Sequence, residues 1–360
     1  MIYGFEGRII YSATTADDAT FVAPFNSEAY PGAIILSTNN HVRLSKVDKE
    51  RLTHVKTLPV GETVRRVAYS ADLKAFGIGC IKKELVNNEE VVTSSFRLVD
   101  EIIFKQLGEP FPLEASTGLE LVECVIRAEL TDSSGNPAER FIVGTSFMPD
   151  NEETASGDKT RGRILVLGVD QDRQVYQILS HKLKGNCRCL GFLDGYIIAG
   201  LSKTIVAYRY VEATSVSGSL EKVAAYRPAS MPVDLDISGN MIGVADLMQS
   251  LALVEFIPPL EGASAELVER ARHYQPLWST SLCQLGDERW LEADAQGNLA
   301  VLRRNVEAPT DQDRMRMDVI SEMNIGEQIN RIRRLYVAPT ENSIVTPKAF
   351  LGSVSWPHKS

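Results

Sequence analysis

One pattern recurs along the chain: an apolar run, a short polar turn and a second apolar run. It is clearest where residues 196–200 and 204–208 flank a turn at 201–203. It returns around residues 241–254 and again around 290–302. The runs are rich in β-branched and aromatic residues and the turns are small or polar, so each unit predicts a β-hairpin.

Weaker copies of this hairpin extend the series over nearly the whole chain. The units start near residues 34, 76, 142, 197, 242, 291 and 349. The shorter separations match the roughly 40–50 residues of a four-stranded propeller blade. A β-sandwich is the alternative, but a sandwich seldom repeats one hairpin type seven times. The pattern therefore predicts an all-β fold, a seven-bladed, WD-repeat-like β-propeller whose last blade is truncated.

Four stretches depart from the simple hairpin. Residues 82–90 and 149–161 are polar and predict insertions within two of the hairpins, the second as a mobile loop. Residues 263–273 and 311–323 are rich in helix formers but have no long apolar stripe. They are interpreted as blade connections that contain a helical turn or an outer strand, with Thr310 as a candidate N-cap.

Composition restricts the classes of function. The chain is 44% hydrophobic and 24% charged, and its net charge of -9 disfavours broad binding to phosphate backbones. No apolar run approaches the roughly 18 residues of a membrane span, and no signal peptide is visible. Basic residues still cluster locally, either on solvated strand faces or for contact with an acidic partner or nucleic acid. These are Arg303, Arg304, Arg314, Arg316, Arg331, Arg333 and Arg334.

The five cysteines have an odd count and no framework spacing, which predicts reduced thiols. Cys187 and Cys189 are two apart on a predicted strand, so both could face one ion. Zinc needs four ligands, however, and the nearest candidate is a lone His181, so two buried core thiols are the preferred interpretation. Gly77 and Gly79 predict close strand packing, since no nucleotide-binding loop surrounds them.

No motif gathers a nucleophile, a base and a cofactor site. Phosphate-binding loops and a nucleophile elbow are lacking, and the five histidines are dispersed. We therefore expect no enzyme activity, no catalytic residues, no metal and no cofactor.

Several segments resemble a known family. The resemblance runs to about Val354 and is to the three-propeller scaffold proteins that include the large damage-specific DNA-binding subunit, the splicing-factor 3b propeller subunit and the large cleavage-and-polyadenylation factor. Residues 244–250 and 25–31 are most similar to the DNA-damage member. The other segments that carry the resemblance are 141–145, 161–164, 274–278, 294–299 and 326–330.

The resemblance implies an interaction scaffold that links WD-repeat substrate receptors to a cullin ubiquitin ligase in DNA repair and chromatin regulation. Residues 1–354 would be an incomplete third, receptor-binding propeller, and 355–360 a tail outside the family. A cullin would be reached only through a propeller that this chain lacks. The expected location is the nucleus, and also the cytoplasm, with no membrane contact. The alternative is a nucleic-acid-binding propeller subunit of an mRNA cleavage, polyadenylation or splicing complex, although contact with nucleic acid is expected to be indirect.

The resemblance also singles out residues for partner binding. Arg272, Trp278 and Asn330 match family positions on the receptor-facing surface, whereas a buried core role is the alternative for Trp278. Met248 and Gln249 lie in a matched stretch. Gln249 stands where the DNA-damage member has Arg, so one receptor contact is expected to differ.

Overall fold

The computed structural model describes residues 2–5, 8–11, 19–38, 40–46, 57–113, 119–148, 160–260, 263–286, 288–333 and 350–353. The chain divides into two compact units, Met1–Thr57 and Leu58–Ser360. The helix in the described part of the chain, α1 (Asp311–Arg314), has four residues. No described helix is long and apolar enough to cross a membrane.

The first unit contains two antiparallel sheets. One pairs β1 (Ile2–Phe5) with β2 (Arg8–Tyr11). The other has three strands in chain order, β3 (Ala19–Phe25), β4 (Ala33–Thr38) and β5 (Val42–Lys46).

The second unit is a series of antiparallel sheets, and within each sheet the strands pair in chain order. The first sheet comprises β6 (Thr63–Ser70), β7 (Ala75–Val86), β8 (Glu89–Asp100) and β9 (Gln106–Leu113). The second comprises β10 (Leu119–Thr131), β11 (Pro137–Met148), β12 (Gly162–Val169) and β13 (Val175–Leu183). The third comprises β14 (Cys187–Leu193), β15 (Tyr196–Leu201), β16 (Ile205–Thr214) and β17 (Ser217–Tyr226).

Two further four-stranded sheets and one strand pair complete the series. The fourth comprises β18 (Pro232–Ser238), β19 (Met241–Asp246), β20 (Ser250–Ile257) and β21 (Glu266–Arg272). The fifth comprises β22 (Ser279–Gly286), β23 (Arg289–Asp294), β24 (Asn298–Arg304) and β25 (Met317–Asn324). The last pairs β26 (Ile329–Arg333) with β27 (Phe350–Ser353).

The first strands of successive sheets in the second unit lie against each other, from β6 through β10, β14, β18 and β22 to β26. Residues of the first strands β10, β14, β18, β22 and β26 surround a common cavity, which we call the central channel, and the other strands of each sheet follow outward in order. Apolar clusters fill the spaces between neighbouring sheets, for example between the second and third sheets. This arrangement is a β-propeller, so the predicted all-β propeller fold is confirmed.

The recurring hairpin has a different place in the blade from the one the sequence suggested. Its first strand is the second strand of each sheet, as in β4, β7, β11, β15, β19, β23 and β27. The expectation that residues 349–354 begin a blade is therefore wrong, because β27 pairs with β26 ahead of it. The second strands β15, β19 and β23 are buried on both faces from their second residue onward, and their apolar character made the hairpins there the easiest to recognise.

Glycines on these second strands allow the blades to approach closely. A Cβ on Gly77 would lie 2.6 Å from Phe141, and one on Gly79 would lie 2.6 Å from Val122 of the next blade. Gly243 is packed in the same way against Trp290, where a Cβ would be 2.3 Å from the ring. The predicted close packing at Gly77 and Gly79 is confirmed.

The predicted polar insertion at residues 82–90 is wrong. β7 and β8 continue through it and meet in a two-residue turn at Asn87 and Asn88, whose φ angles are 53° and 70°. Two left-handed residues at the centre of a hairpin turn match the twist of the flanking strands, and Asn tolerates that conformation. In the other predicted insertion, residues 149–159 lie outside the described part of the chain.

Each of the two stretches rich in helix formers contains an outer strand, which was one of the two interpretations offered for them. Residues 263–273 contain β21, and residues 311–323 contain α1 and then most of β25. The hydroxyl of Thr310 accepts a hydrogen bond from the backbone N of Asp313 at 3.2 Å, which confirms the predicted N-cap.

Candidate functional site: the connection face of the propeller

One end of the propeller gathers two kinds of loop. In a four-stranded antiparallel sheet, the turn between the second and third strands and the connection to the next sheet leave from the same end. Backbone hydrogen bonds join the two kinds of loop here. Leu247 N donates to Met231 O at 2.8 Å, and Ala295 N donates to Trp278 O at 2.9 Å. We call this end the connection face.

Large apolar side chains are exposed on the connection face of the fourth and fifth sheets. Trp278 and Tyr274 lie on the connection from β21 to β22 and are 62% and 65% exposed. Met248 lies in the turn from β19 to β20 and is 51% exposed, and its neighbour Gln249 is exposed as well. The core alternative for Trp278 is therefore wrong. The buried tryptophan of this region is Trp290 on β23.

A buried polar network fixes these two exposed loops to each other. The carboxylate of Glu292, on β23, accepts from the hydroxyl of Ser250 at 2.6 Å and from the hydroxyl of Ser279. Ser250 also lies 2.7 Å from Nδ1 of His273. Since Ser250 follows Gln249 and Ser279 follows Trp278, one carboxylate anchors both loops.

Burial sets the protonation of this network. It raises the pKa of Glu292 above its ordinary value, against the opposing effect of the two serine hydroxyls. Burial, followed by the charge of Arg316, lowers the pKa of His273 and favours the neutral ring. A hydroxyl has one proton, so when Ser250 donates to Glu292, His273 must donate from Nδ1 to Ser250. Ser250 holds this place at a φ of 62°, a rare angle for a buried residue other than glycine.

Asn330 belongs to a second repeated feature, a ring of β-bulges. The first strand of each sheet in the second unit has a register shift near its start, which leaves one extra residue unpaired. We call these residues the bulge ring. They are Arg65, Glu123, Arg188, Val233, Thr280 and Asn330.

The bulge ring lies at the connection end of the channel, because first strands begin where blade connections arrive. Neighbouring ring residues interact. Arg65 and Arg188 each have a guanidinium nitrogen 3.6 Å from a carboxylate oxygen of Glu123. The hydroxyl of Thr280 donates to Ile329 O at 2.6 Å, beside Asn330. Asn330 is thereby connected to the strand that Trp278 precedes.

Arg272 is placed differently from the other candidates. It ends the outer strand β21, and its guanidinium forms hydrogen bonds with Glu269 at 2.8 Å and with the hydroxyl of Tyr226 at 3.0 Å. No hydrogen bond joins that guanidinium to the Glu292 network within the described residues. Its neighbour in the chain, His273, does belong to that network. Arg272 itself is half-buried at the outer edge of the fourth sheet, where it contacts Glu269 and Tyr226.

The sequence of this chain also matches a known protein family. Residues 93–355 match the family model described as the CPSF A subunit region. The chain belongs to this family.

Similar proteins of the CPSF A subunit family have a DNA damage-binding name. The chain is 28% identical over 360 residues to DNA damage-binding protein 1b of Arabidopsis thaliana, covering 99% of this chain and 31% of the relative. It is 24% identical over 356 residues to DNA damage-binding protein 1 of Schizosaccharomyces pombe, covering 98% and 31%. The chain therefore spans about a third of the length of these relatives.

The cysteines of this CPSF A family chain are buried and free of disulfides. The expectation that Cys187 and Cys189 share one face is wrong, because the bulge at Arg188 breaks the alternation between them. Cys187 packs with Cys124 on one side of the sheet, and Cys189 packs with the apolar cluster on the other side. Among the described residues, no group of three or more His, Cys, Asp or Glu is placed to hold a metal ion.

Sequence reasoning missed the Glu292 network and the bulge ring. Glu292 stands between the apolar residues Leu291 and Ala293 on β23, where a carboxylate is a signal of a buried partner. The bulges left no such signal, because the extra residue is Arg, Glu, Val, Thr or Asn according to the sheet.

Proposed function

We propose that this chain is a protein-interaction scaffold like the DNA damage-binding relatives, and that it binds substrate-receptor proteins through Met248, Tyr274 and Trp278 on the connection face. The observation that carries the proposal is an exposed tryptophan held on a rigid support. Large aromatic side chains with little freedom to reorient make good interface anchors, since little conformational entropy is lost on binding. The Glu292 network supplies that rigidity from below.

At a finer level, the receptors would be WD-repeat proteins, and the complete assembly would connect them to a cullin ubiquitin ligase in DNA repair in the nucleus. The family membership and the names of the relatives support this role. A role in mRNA cleavage, polyadenylation or splicing is not favoured, because the relatives reported above have DNA damage-binding names. We assign no catalytic step to the chain.

Quantitative affinity purification of the tagged chain from its source cells, followed by direct titration of the recovered WD-repeat proteins, tests the proposal. We expect Trp278→Ala to weaken receptor binding by more than about tenfold and Met248→Ala to weaken it less, without a change in unfolding temperature. Met323→Ala is a matched control, since Met323 is 58% exposed but lies on the outer strand β25. If Trp278→Ala binds receptors as well as the unchanged chain does, the connection face is not their site.

A further inference from the structure

The central channel concentrates positive charge in a chain whose net charge is -9. Five arginines come from three first strands, Arg65 and Arg66 from β6, Arg188 from β14, and Arg331 and Arg333 from β26. Arg331 and Arg333 are two apart on their strand and face the same side. They line a cavity of about 460 Å³ together with Asp236 and Gln284.

Three carboxylates face this group, and two of them are strongly engaged by the protein. Asp234 accepts from Arg331, from the hydroxyl of Ser281 at 2.8 Å and from backbone N atoms. Glu123 is shared between Arg65 and Arg188. Asp236 accepts from Gln284 N at 2.7 Å, and burial raises its pKa. Five guanidiniums against three carboxylates leave an excess of two positive charges.

The excess resides mainly on Arg66 and Arg333. Nη1 of Arg66 donates to Arg65 O at 2.8 Å, and Nη1 of Arg333 donates to Ile332 O at 3.0 Å. No described carboxylate forms an ion pair with either guanidinium. Nε of Arg188 is also buried without a hydrogen-bond acceptor in the described structure. The guanidinium nitrogens of Arg66 and Arg333 beyond these two hydrogen bonds are donors that a ligand could satisfy.

Burial and neighbouring positive charges both lower the pKa of two of these arginines. Burial, then the charges of Arg331 and Arg65, lower the pKa of Arg66. Burial, then the charge of Arg331, lowers the pKa of Arg333, which lies in the open channel, reached by water but surrounded by protein. Arginine remains charged under these conditions, so the repulsion persists until an anion relieves it.

We propose that the central channel binds a small anion carrying several closely spaced phosphoryl groups. The guanidinium fork matches phosphate oxygens in pairs, and arginines from three strands suit an anion with charge on several sides. The cavity that Arg331 and Arg333 line has the volume of a small-molecule site, and Arg66 lies within electrostatic range of Arg331. Inorganic polyphosphate and inositol polyphosphates share this chemistry, whereas an extended acidic peptide would present its charges along a line. This site is separate from the exposed side chains of the proposed receptor surface.

Isothermal titration of the full chain with tripolyphosphate, inositol hexakisphosphate, orthophosphate and a hexaglutamate peptide tests the proposal. We expect at least one of the first two to bind about tenfold or more tightly than orthophosphate or the peptide, with an affinity that falls as salt is added. The preference between the two distinguishes the inorganic from the inositol source. Weak binding of both, or tighter binding of the peptide, overturns the proposal.

Variants then locate the site. The double variant Arg66→Gln and Arg333→Gln is expected to lose more than about tenfold in affinity for the preferred probe. The control Arg209→Gln and Arg270→Gln removes the same charge from two ion pairs that join the third and fourth strands of their sheets, and it should retain the affinity. An equal loss in both double variants means that net charge, and not the channel, controls binding, and the proposal fails.

A loss of affinity in the arginine variants could also result from misfolding, so a variant that is expected to gain affinity is needed as well. Asp236→Asn removes a negative charge from the channel and retains an oxygen for Gln284 N. We expect it to tighten binding about threefold or more, because the anion then meets less repulsion. If the affinity is unchanged or weaker, the anion does not bind in this channel.

Discussion

Glu292 shows how one buried side chain can organise a surface that it does not reach. It is 1% exposed, yet its two oxygens hold Ser250 behind the Met248 turn and Ser279 behind Trp278. A buried carboxylate is costly unless it is fully hydrogen-bonded. The position is therefore one where loss of the side chain should be felt both in stability and in the loops.

We expect Glu292→Ala to lower the free energy of unfolding by about 2 kcal/mol, because the hydroxyls of Ser250 and Ser279 lose their shared acceptor. Urea unfolding followed by fluorescence measures the change. The charge-matched control Glu322→Ala, on an exposed position of β25, should stay within about 0.5 kcal/mol of the unchanged chain. Equal effects of the two substitutions would show that the network contributes nothing.

The raised pKa of Glu292 predicts a pH dependence of defined sign. The folded protein holds this proton more tightly than the unfolded chain, whose glutamates titrate near 4.3. As pH rises from about 4 through the folded pKa, the folded state must ionise a buried group, and this contribution to stability is lost. Glu292→Gln has no such proton, so its stability relative to the unchanged chain should increase over that window and then level off. An increase as pH falls would contradict the assignment.

The buried thiols predict low reactivity. Burial raises the pKa of Cys80 to about 11, and hydrogen bonding to Cys124 together with burial raises the pKa of Cys187. Thiolate is the reactive form, so we expect negligible alkylation by iodoacetamide at neutral pH in the folded protein and complete alkylation in guanidinium chloride. Mass spectrometry of the labelled chain counts the modified cysteines. Rapid labelling of Cys187 in the folded state would be inconsistent with its burial.

At the scale of the strand, a bulge explains why the strict alternation of side chains between two faces wrongly predicted that Cys187 and Cys189 share one face. A bulge adds one residue and turns the following side chains to the other face, which the residue types alone do not signal. By contrast, the second strands were found from sequence because each contains a short apolar run, such as residues 76–80 of β7 and 141–143 of β11. The turn at Asn87 and Asn88 was missed because the charged residues on either side of it predicted a loop, although the two strands continue through them.

Glycine on a second strand sets the spacing between blades. We expect Gly243→Ala to destabilise the fold by about 1–3 kcal/mol, because the new Cβ would lie 2.3 Å from the ring of buried Trp290. Differential scanning calorimetry gives the change. Gly185→Ala is the matched control, since its nearest contact is the hydroxyl of Ser202 at 3.2 Å, the end of a flexible side chain. Similar losses in both variants would argue against a special role for the Trp290 contact.

For the molecule as a whole, charge distribution matters more than total charge. The net charge of -9 opposes broad contact with nucleic acid, while the arginines of the channel are enclosed by first strands. We expect weak binding of duplex DNA and of single-stranded RNA by the chain alone, without the steep salt dependence of a multi-phosphate interface. Fluorescence anisotropy over a range of salt concentrations measures this. Tight, steeply salt-dependent RNA binding would favour the RNA-processing alternative.

The propeller could be predicted from sequence because its unit repeats, whereas the candidate sites depend on contacts between units. Trp278 was recognised through resemblance, but its exposure on a support provided by Glu292 of another strand was not readable from its neighbours. Glu269 lies three residues before Arg272 on the same strand, but the separate placement of Arg272 was missed because its hydrogen bond to Tyr226 reaches a strand of the third sheet. Long-range hydrogen bonds of this kind have no local pattern.

The bulge ring has a consequence for how such a protein can change over generations. Each extra residue stands outside the ladder of its sheet, so its side chain can be exchanged without loss of a strand-pairing hydrogen bond. The six positions already hold a hydrophobe, two bases, an acid, a hydroxyl and an amide. A lineage can therefore alter the chemistry at the entrance of the channel one substitution at a time, while the blades beneath it remain as they are.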